Sequence, residues 1–209
     1  NIKIDRDILL KPLSNVSGIV EKRHALPILS NLLLEGSENN QVKFSATDLE
    51  VQISLTVKTE IESNFSITIA ARKLLDITRS LPEGSKINIQ VDESKVLLKA
   101  GKSKFNLQTL PTKDYPLMVN EEENVKEFTV SQDQLKSTLK QVDFSMAQQD
   151  IRYYLNGLLF EVDGNKFNIV GTDGHRLSFT SIKLHETKEK TQIIVPRKTI
   201  LELIKLLDE

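Results

Sequence analysis

The sequence predicts an α+β fold built from repeated βαβββ units, with antiparallel sheets and two helices packed against them. Runs of alternating apolar and polar residues, separated by turn residues, indicate antiparallel strands. Segments with apolar residues at helical spacing each follow a short strand. The whole order of elements then restarts after residue 126.

The first unit is predicted over residues 2–57. Ile2 and Ile4 alternate with polar residues and indicate a strand, and apolar residues at helical spacing up to Val16 indicate a helix. Pro12 is expected to bend this helix, because proline lacks a backbone donor. The polar segment 21–24 predicts a loop. Alternation then predicts a three-strand meander over 28–34, 42–46 and 51–57, with turns at 39–40 and 47–48.

A second unit of the same order is predicted next. It has a strand at 67–69, a helix at 71–81 ended by Pro82–Gly84, and three strands at 87–91, 96–99 and 105–109. Two prolines and an acidic run, Glu121–Glu123, predict that the segment 111–124 is a linker. We therefore expect a first domain over 1–119, a linker over 120–126 and a second domain over 127–209.

The second domain repeats the beginning of the first. Phe128 and Val130 indicate a strand, and Ser131 with Gln134 forms a capping-box pattern for a helix that continues to Met146. Two adjacent tyrosines, a strand, a turn centred on Gly164, a second strand and the polar segment Thr172–Arg176 follow.

Short matches at a near-constant offset indicate an internal duplication. Asn31, Thr47-Asp48 and Arg72-Lys73 recur 125 residues later as Asn156, Thr172-Asp173 and Arg197-Lys198. The first copy continues with three strands after its second helix, whereas the second copy ends at that helix. A sheet without these strands would have open edges, so the pattern predicts a piece of a longer protein.

Composition excludes several classes of protein. The chain has no Cys, which rules out disulfides and thiolate metal sites and fits a cytoplasmic location. The net charge of −1 gives no global basic field. His24, His175 and His185 are widely spaced and lack a second ligand nearby, so no metal is expected, and no phosphate-loop pattern predicts a cofactor.

Asp173 and His175 suggest acid–base chemistry at first sight. A hydrolase also needs an activated nucleophile, and neither Cys nor a G-x-S-x-G elbow is present. Because Thr47-Asp48 occupies the corresponding place in the first copy, a structural turn whose Asp accepts backbone N–H groups is the better interpretation. We predict that the protein is not an enzyme.

Several long motifs in order resemble the family of bacterial DNA polymerase III beta subunits, the replicative sliding clamps. They include L-P-I-L-x-N-L-L-L from Leu26, A-R-K-L-L-D-I from Ala71, F-S-M-A-Q-Q-D-I-R-Y-Y-L-N-G from Phe144 and T-D-G-H-R-L from Thr172. The resemblance covers Ile4 to Asp208. It implies a DNA-clamp fold with three similar domains per subunit, of which this chain matches the first and most of the second. In the family, two subunits form a homodimeric ring around double-stranded DNA and confer processivity on the polymerase.

The resemblance also implies three sets of site residues. The positions that match the family's DNA contacts are Arg23, Arg72, Gln149, Tyr153 and Tyr154, with Lys198 as an addition; Lys11, Arg79, Lys136 and Lys140 are further cations on helices. The positions on the family's peptide pocket for polymerase and clamp-loader subunits are Leu155, Thr172, Gly174, His175, Arg176 and Leu177. The ring seam maps to Lys102, Lys104, Phe105 and Leu107.

From the residues alone, three alternatives stay open. Exposed lysines on helices usually serve solubility, and adjacent tyrosines are often ordinary sheet residues. A peptide-binding scaffold without DNA binding is the alternative function.

Overall fold

The computed structural model describes residues 2–20, 26–37, 39–92, 95–118 and 125–207. The chain divides into two compact units, Asn1–Val119 and Asn120–Glu209. Within the described ranges, no helix is long and apolar enough to cross a membrane. The predicted loop at 21–24, which includes Arg23 and His24, lies outside the described residues.

The first unit contains two helices and nine strands among its described residues. The helices are α1 (Arg6–Val16) and α2 (Ala71–Ser80). The strands are β1 (Ile2–Asp5), β2 (Asn31–Ser37), β3 (Gln41–Thr47), β4 (Gln52–Lys58), β5 (Glu60–Ile61), β6 (Phe65–Ala70), β7 (Lys86–Asp92), β8 (Lys95–Ala100) and β9 (Ser103–Gln108).

The two βαβββ units of this first unit exchange their first strands. One antiparallel sheet has the order β5-β1-β7-β8-β9 and the other β4-β3-β2-β6. Thus β1 joins the meander of the second βαβββ unit, and β6 joins the meander of the first. The inward faces of α1 and α2, including Leu9, Leu13, Leu74 and Leu75, are buried. The two helices therefore cover the hydrophobic core of this unit with their apolar faces.

Most elements predicted from periodicity are confirmed, and Pro12 does not interrupt α1. It lies inside the helix and is buried. A proline at a helix-interior position costs about 3 kcal/mol. Burial of Leu9, Leu13 and Val16 on the same helix offsets this cost.

Two predictions in the first unit are wrong. The strand expected from Ile28 begins at Asn31, because Pro27–Ser30 forms a 3-10 turn in which Leu29 N–H donates to Leu26 O at 3.2 Å. The stretch 111–118 is not free chain: the buried Tyr115 hydroxyl lies 3.3 Å from Asn31 O and 3.2 Å from Ser45 O. These two contacts join the segment to the inner strands β2 and β3.

The second unit has fewer described elements. They are α3 (Gln132–Lys140), β10 (Gly157–Thr172), β11 (Leu177–Pro196) and α4 (Arg197–Leu206). Strands β10 and β11 pair antiparallel, with register shifts on both sides of Gly164. Leu139, Leu158, Phe167, Ile169 and Ile200 belong to the core of this unit.

Strand β10 bends back at Gly164, as the sequence predicted. Gly164 has φ +59°, which favours glycine. The Asn168 amide donates to the Glu161 carboxylate at 3.1 Å, and the rings of Phe160 and Phe167 are 5.1 Å apart. Seven residues of straight strand span more than 20 Å, so these contacts require the bend.

Three further predictions are corrected in the second unit. Phe128 and Val130 are not in a strand; the Phe128 ring packs on Phe167 at 4.9 Å. Ser131 is the N-cap residue of α3 but makes no side-chain cap hydrogen bond, so the capping box does not form. The helix ends at Lys140, and a 3-10 turn at Asp143–Ser145 leads to the buried Met146.

Candidate functional site

The segment 147–156 is a loop closed by hydrogen bonds from both ends. Ala147 N–H donates to Leu155 O at 3.0 Å. The Asn156 side chain spans the loop: it accepts from Asp150 N–H at 3.0 Å and donates to Asp150 O at 2.8 Å. Its own carbonyl accepts from Arg197 N–H at 2.8 Å. The loop is therefore tied to the beginning of α4.

An ion pair inside the loop fixes its tip. Arg152 contacts the Asp150 carboxylate through Nε at 3.0 Å and Nη2 at 2.8 Å, and its backbone N–H donates to the same carboxylate at 2.8 Å. The hydrogen bonds from the Arg152 guanidinium and N–H lower the pKa of Asp150 to about 2. Because three donors converge on it, the carboxylate is ionised at neutral pH.

The predicted contact residues of this loop point outward. Tyr153 is 82% exposed and Tyr154 is 50% exposed, and both belong to a 3-10 turn rather than a strand. Their rings form an edge-on pair 5.8 Å apart. In a strand the two side chains would point to opposite faces, whereas this turn exposes both. Gln149 is also exposed, at φ +56°, a conformation unusual for a residue other than glycine.

The cationic positions that the structure describes lie on the four helices. Arg72 is exposed in the first turn of α2 and lines a cavity of about 260 Å³ together with Arg79, Asp76 and residues of α1. Lys198 is half-buried in the first turn of α4. Lys11, Arg79 and Lys140 are exposed, while Lys136 donates to Leu207 O at 3.0 Å and so links α3 to the end of α4.

The turn after β10 repeats three side-chain hydrogen bonds of the turn after β3. Asp48 Oδ1 accepts from Glu50 and Val51 N–H, and Thr47 Oγ1 accepts from Leu49 N–H. The second copy has the same three bonds with the acceptors Asp173 and Thr172. They come from His175 and Arg176 N–H at 3.0 Å and from Gly174 N–H at 3.1 Å. The prediction of a duplicated structural turn is confirmed.

The Asp173 carboxylate accepts hydrogen bonds from three donors within this turn. The N–H groups of His175 and Arg176, followed by the Arg176 guanidinium, lower the pKa of Asp173. Asp173 therefore holds backbone groups and Arg176 and is not hydrogen-bonded to the His175 ring in any contact that the structure records. Within the described ranges, no group of His, Asp and Glu side chains has the proximity of metal ligands.

The peptide-pocket positions form an exposed end with a buried floor. Leu155 is buried, Thr172 is half-buried, and Gly174 to Leu177 are exposed. Arg176 donates to Phe144 O at 2.7 Å, and its guanidinium lies 5.4 Å from the centre of the Phe144 ring. Leu177 is 66% exposed. Apolar side chains thus stand beside hydrogen-bonding groups, as in a peptide-binding surface.

The loop 147–156 touches this end directly. A methyl group placed on Gly174 would lie 3.2 Å from Arg152 Nη2 and 3.3 Å from Nη1. The charge of His175 also contributes to the low pKa of Asp150, after the contributions of Arg152. Asp150, Arg152, Asn156 and Phe144 therefore organise the site although the sequence did not single them out for a role. The one available signal was Asp150-x-Arg152, the spacing of an Asx turn.

The seam positions lie on β9 and the turn before it. Strand β9 is an edge of its sheet and pairs only with β8 among the described strands. Lys102 and Lys104 are exposed, Phe105 is half-buried, and Leu107 is 7% exposed. Leu107 therefore belongs to the unit's own core, and the exposed part of this edge is polar and cationic.

Two family models match the chain. They are described as DNA polymerase III beta subunit, N-terminal domain, over residues 1–119, and DNA polymerase III beta subunit, central domain, over residues 129–209. The beta sliding clamp of Pseudomonas aeruginosa is 47% identical over 208 residues, and that of Escherichia coli is 41% identical over 206 residues. These alignments cover 99% and 98% of this chain and 56% of each relative.

Solved structures give the same result. The crystal structure of the DNA polymerase III subunit beta from Pseudomonas aeruginosa superposes with a TM-score of 0.93 at 47% identity, covering 99% of this chain and 56% of that one. The Caulobacter crescentus pol III beta structure has a TM-score of 0.91 at 36% identity, with 99% and 56% covered. A further Pseudomonas aeruginosa sliding clamp, with a TM-score of 0.92 at 46% identity and 99% and 56% covered, is bound to griselimycin. The predicted clamp fold is confirmed, and the chain spans about half the length of the relatives it matches.

Proposed function

The chain belongs to the family of DNA polymerase III beta subunits, and from that premise we propose that the protein is a sliding clamp. It encircles double-stranded DNA without reading its sequence, tethers the replicative polymerase and performs no chemistry. Because the chain spans about half the length of its relatives, this activity is proposed for the full-length subunit.

The exposed loop 149–154 carries the DNA-binding part of the proposal. Tyr and Gln side chains donate hydrogen bonds to phosphate and sugar oxygens, and they do so for any base sequence. The Asp150–Arg152 ion pair fixes the backbone beneath them. Arg72 and Lys198, together with Arg23, add charge that neutralises phosphates. Contacts directed at the DNA backbone suit a ring that moves along the duplex.

The exposed end at Gly174–Leu177 carries the partner-binding part. Leu155 and Thr172 provide its floor and side, and His175, Arg176 and Leu177 provide exposed contact groups. We propose that peptide segments of the polymerase and of clamp-loader subunits bind here. The griselimycin-bound structure of the relative from Pseudomonas aeruginosa supports a ligand site in this family.

The edge of β9 carries the assembly part. We propose that it forms one side of the seam of a homodimeric ring, through Lys102, Lys104 and Phe105. Leu107 supports the strand from inside, because it is buried. An unpaired strand edge with charged residues is protected against random pairing and is available for a specific partner strand.

Retention on circular DNA tests the function. The full-length subunit, loaded onto a nicked circular duplex by its clamp loader, is expected to stay bound and to be lost after the circle is linearised. The substitution His175→Ala is expected to weaken peptide capture and to leave retention unchanged. A protein that binds peptides but shows no difference between circular and linear DNA is a scaffold and contradicts the proposal.

A further inference from the structure

The loop that carries the proposed DNA contacts and the turn that carries the proposed peptide contacts meet at one ion pair. We infer that the Asp150–Arg152 pair couples the two sites, so that each ligand binds more tightly when the other is present. This inference rests on the proposed clamp function. It concerns the regulation of those sites and assigns Asp150 and Arg152 as positioning residues.

The first step is the position of the pair within the DNA-contact loop. Asp150 lies between Gln149 and the tyrosine turn, and it is held by Asn156 and by three bonds from Arg152. Gln149 at φ +56° is kept in an unfavourable conformation by these neighbours. Loss of the pair would therefore release Gln149, Tyr153 and Tyr154 together.

The second step is the contact with the turn. Arg152 Nη1 and Nη2 lie 3.3 Å and 3.2 Å from the position that a methyl group on Gly174 would occupy. The same guanidinium is bound to Asp150 through Nε and Nη2. A ligand that packs on Gly174 and His175 will thus contact the Arg152 side chain, and a shift of Arg152 would disturb the loop.

The sign of the coupling follows from conformational entropy. The pair is at the surface, with the Arg152 side chain 47% exposed and the Asp150 side chain 22% exposed. A pair this exposed contributes little stability of its own, so a bound ligand can still add order to the loop. A ligand at either site holds the pair closed, so the second ligand finds the loop already ordered. Coupling between sites is typically about 5- to 150-fold, and an exposed pair belongs at the lower end, about 5-fold.

The experiment measures griselimycin affinity by calorimetry on the full-length subunit, with and without a saturating short linear duplex at low ionic strength. A short duplex threads a closed ring without a loader. The duplex is expected to lower the Kd of griselimycin by about 5-fold in the wild type. By reciprocity, griselimycin must tighten duplex binding by the same factor.

Three variants identify the residue pair. Asp150→Asn removes the charge and is expected to bring the coupling factor to about one while both ligands still bind; Asp150→Glu keeps the carboxylate and is expected to retain part of the coupling. Glu186→Gln breaks an exposed ion pair elsewhere in the same unit, Glu186–Lys188 at 2.6 Å, and is expected to leave the factor unchanged. If Asp150 had a purely structural role, its substitution would weaken the binding of both ligands but leave the coupling factor at its wild-type value.

The outcomes separate the two proposals. A wild-type protein that binds both ligands with a factor of one overturns the coupling alone, as does an Asp150→Asn variant that keeps the full factor. A wild-type protein that binds griselimycin but no duplex overturns the clamp function as well, and the duplex-only titration reveals this separately.

Discussion

At the scale of single residues, the duplicated Thr-Asp turn shows how one structural solution accepts different residues. The left-handed position is Leu49 at φ +77° in the first copy and Gly174 at φ +88° in the second. A leucine there costs about 1–2 kcal/mol, yet the same three side-chain bonds keep the geometry. The sequence predicted this turn because Thr-Asp recurs in both copies. It did not predict the left-handed leucine, whose preference is overruled by its neighbours.

Gly174→Ala is expected to lower the free energy of unfolding of the second unit by about 1 kcal/mol, because alanine does not favour a positive φ. The new methyl group meets only the flexible end of Arg152, so strain in the backbone dominates. Urea denaturation measures the change. His175→Ala, at the exposed next position with ordinary φ, is the control and should change stability by less than about 0.5 kcal/mol. Equal effects of the two substitutions would contradict this explanation.

Asp150 predicts a specific loss of stability in acid. Its folded-state pKa of about 2 lies below the ordinary value of 3.8, because Arg152 stabilises the ionised form. The carboxylate therefore contributes stability above about pH 4, and this contribution is lost as the pH falls towards the folded-state pKa. Thermal unfolding of the wild type and Asp150→Asn should differ most at neutral pH and converge between pH 4 and pH 2. A difference that stays constant over that range would show that the charge does not matter.

At the scale of elements, the sequence predicts strands that are buried on one face. It misses elements whose structure depends on residues far away in the chain. Strands β4 and β7 alternate because one face is buried, and they were predicted within a few residues. The turn Pro27–Ser30 was missed because an apolar run does not distinguish a 3-10 turn from a strand. The segment at Phe128 and Val130, where a strand was predicted, corresponds to β1, which pairs with β7 in the first copy. No counterpart of β7 follows α4 among the described residues.

Tyr115 provides a test of the segment that the sequence assigned to a linker. Its hydroxyl lies within 3.3 Å of two carbonyl oxygens, one in β2 and one in β3, and burial raises the pKa of Tyr115 to about 12. Tyr115→Phe leaves these acceptors without their donor and is expected to cost about 1 kcal/mol. Tyr153→Phe removes an exposed hydroxyl and should have no measurable effect on stability. If Tyr115→Phe is equally silent, the segment is held by apolar packing alone. The boundaries 120–126 of the linker stay a prediction.

At the scale of the whole molecule, both units follow the same βαβββ order of elements, and the second unit repeats only its beginning among the described residues. In the first unit, two sheets exchange their first strands around α1 and α2. In the second, α3, α4 and the bent ribbon of β10 and β11 repeat the beginning of that plan. The proposed DNA-contact residues were predicted from the resemblance and not from periodicity, because Gln149, Tyr153 and Tyr154 lie in an irregular loop. The geometry adds what the resemblance did not supply, namely the ion pair that holds the loop in place.

The salt dependence of duplex binding tests which of these residues contacts phosphate by charge. Each neutralised phosphate contributes about 0.9 to the slope of log Kd against log salt concentration, because it releases a condensed counterion. Arg72→Ala in the full-length subunit should lower that slope by about one. Tyr154→Ala should weaken binding at every salt concentration without changing the slope, because a hydroxyl releases no counterion.

A matched lysine distinguishes a specific contact from net charge. Lys43 is exposed on β3, and Lys43→Ala changes the net charge of the subunit by the same amount as Arg72→Ala. If Arg72 contacts a phosphate, only its substitution changes the slope. If both substitutions reduce affinity equally, with equal slopes, the duplex responds to the overall field of the ring, and the assignment of Arg72 as a contact is wrong. The ionic strength must be varied in each titration, because an affinity at one salt concentration does not separate the two cases.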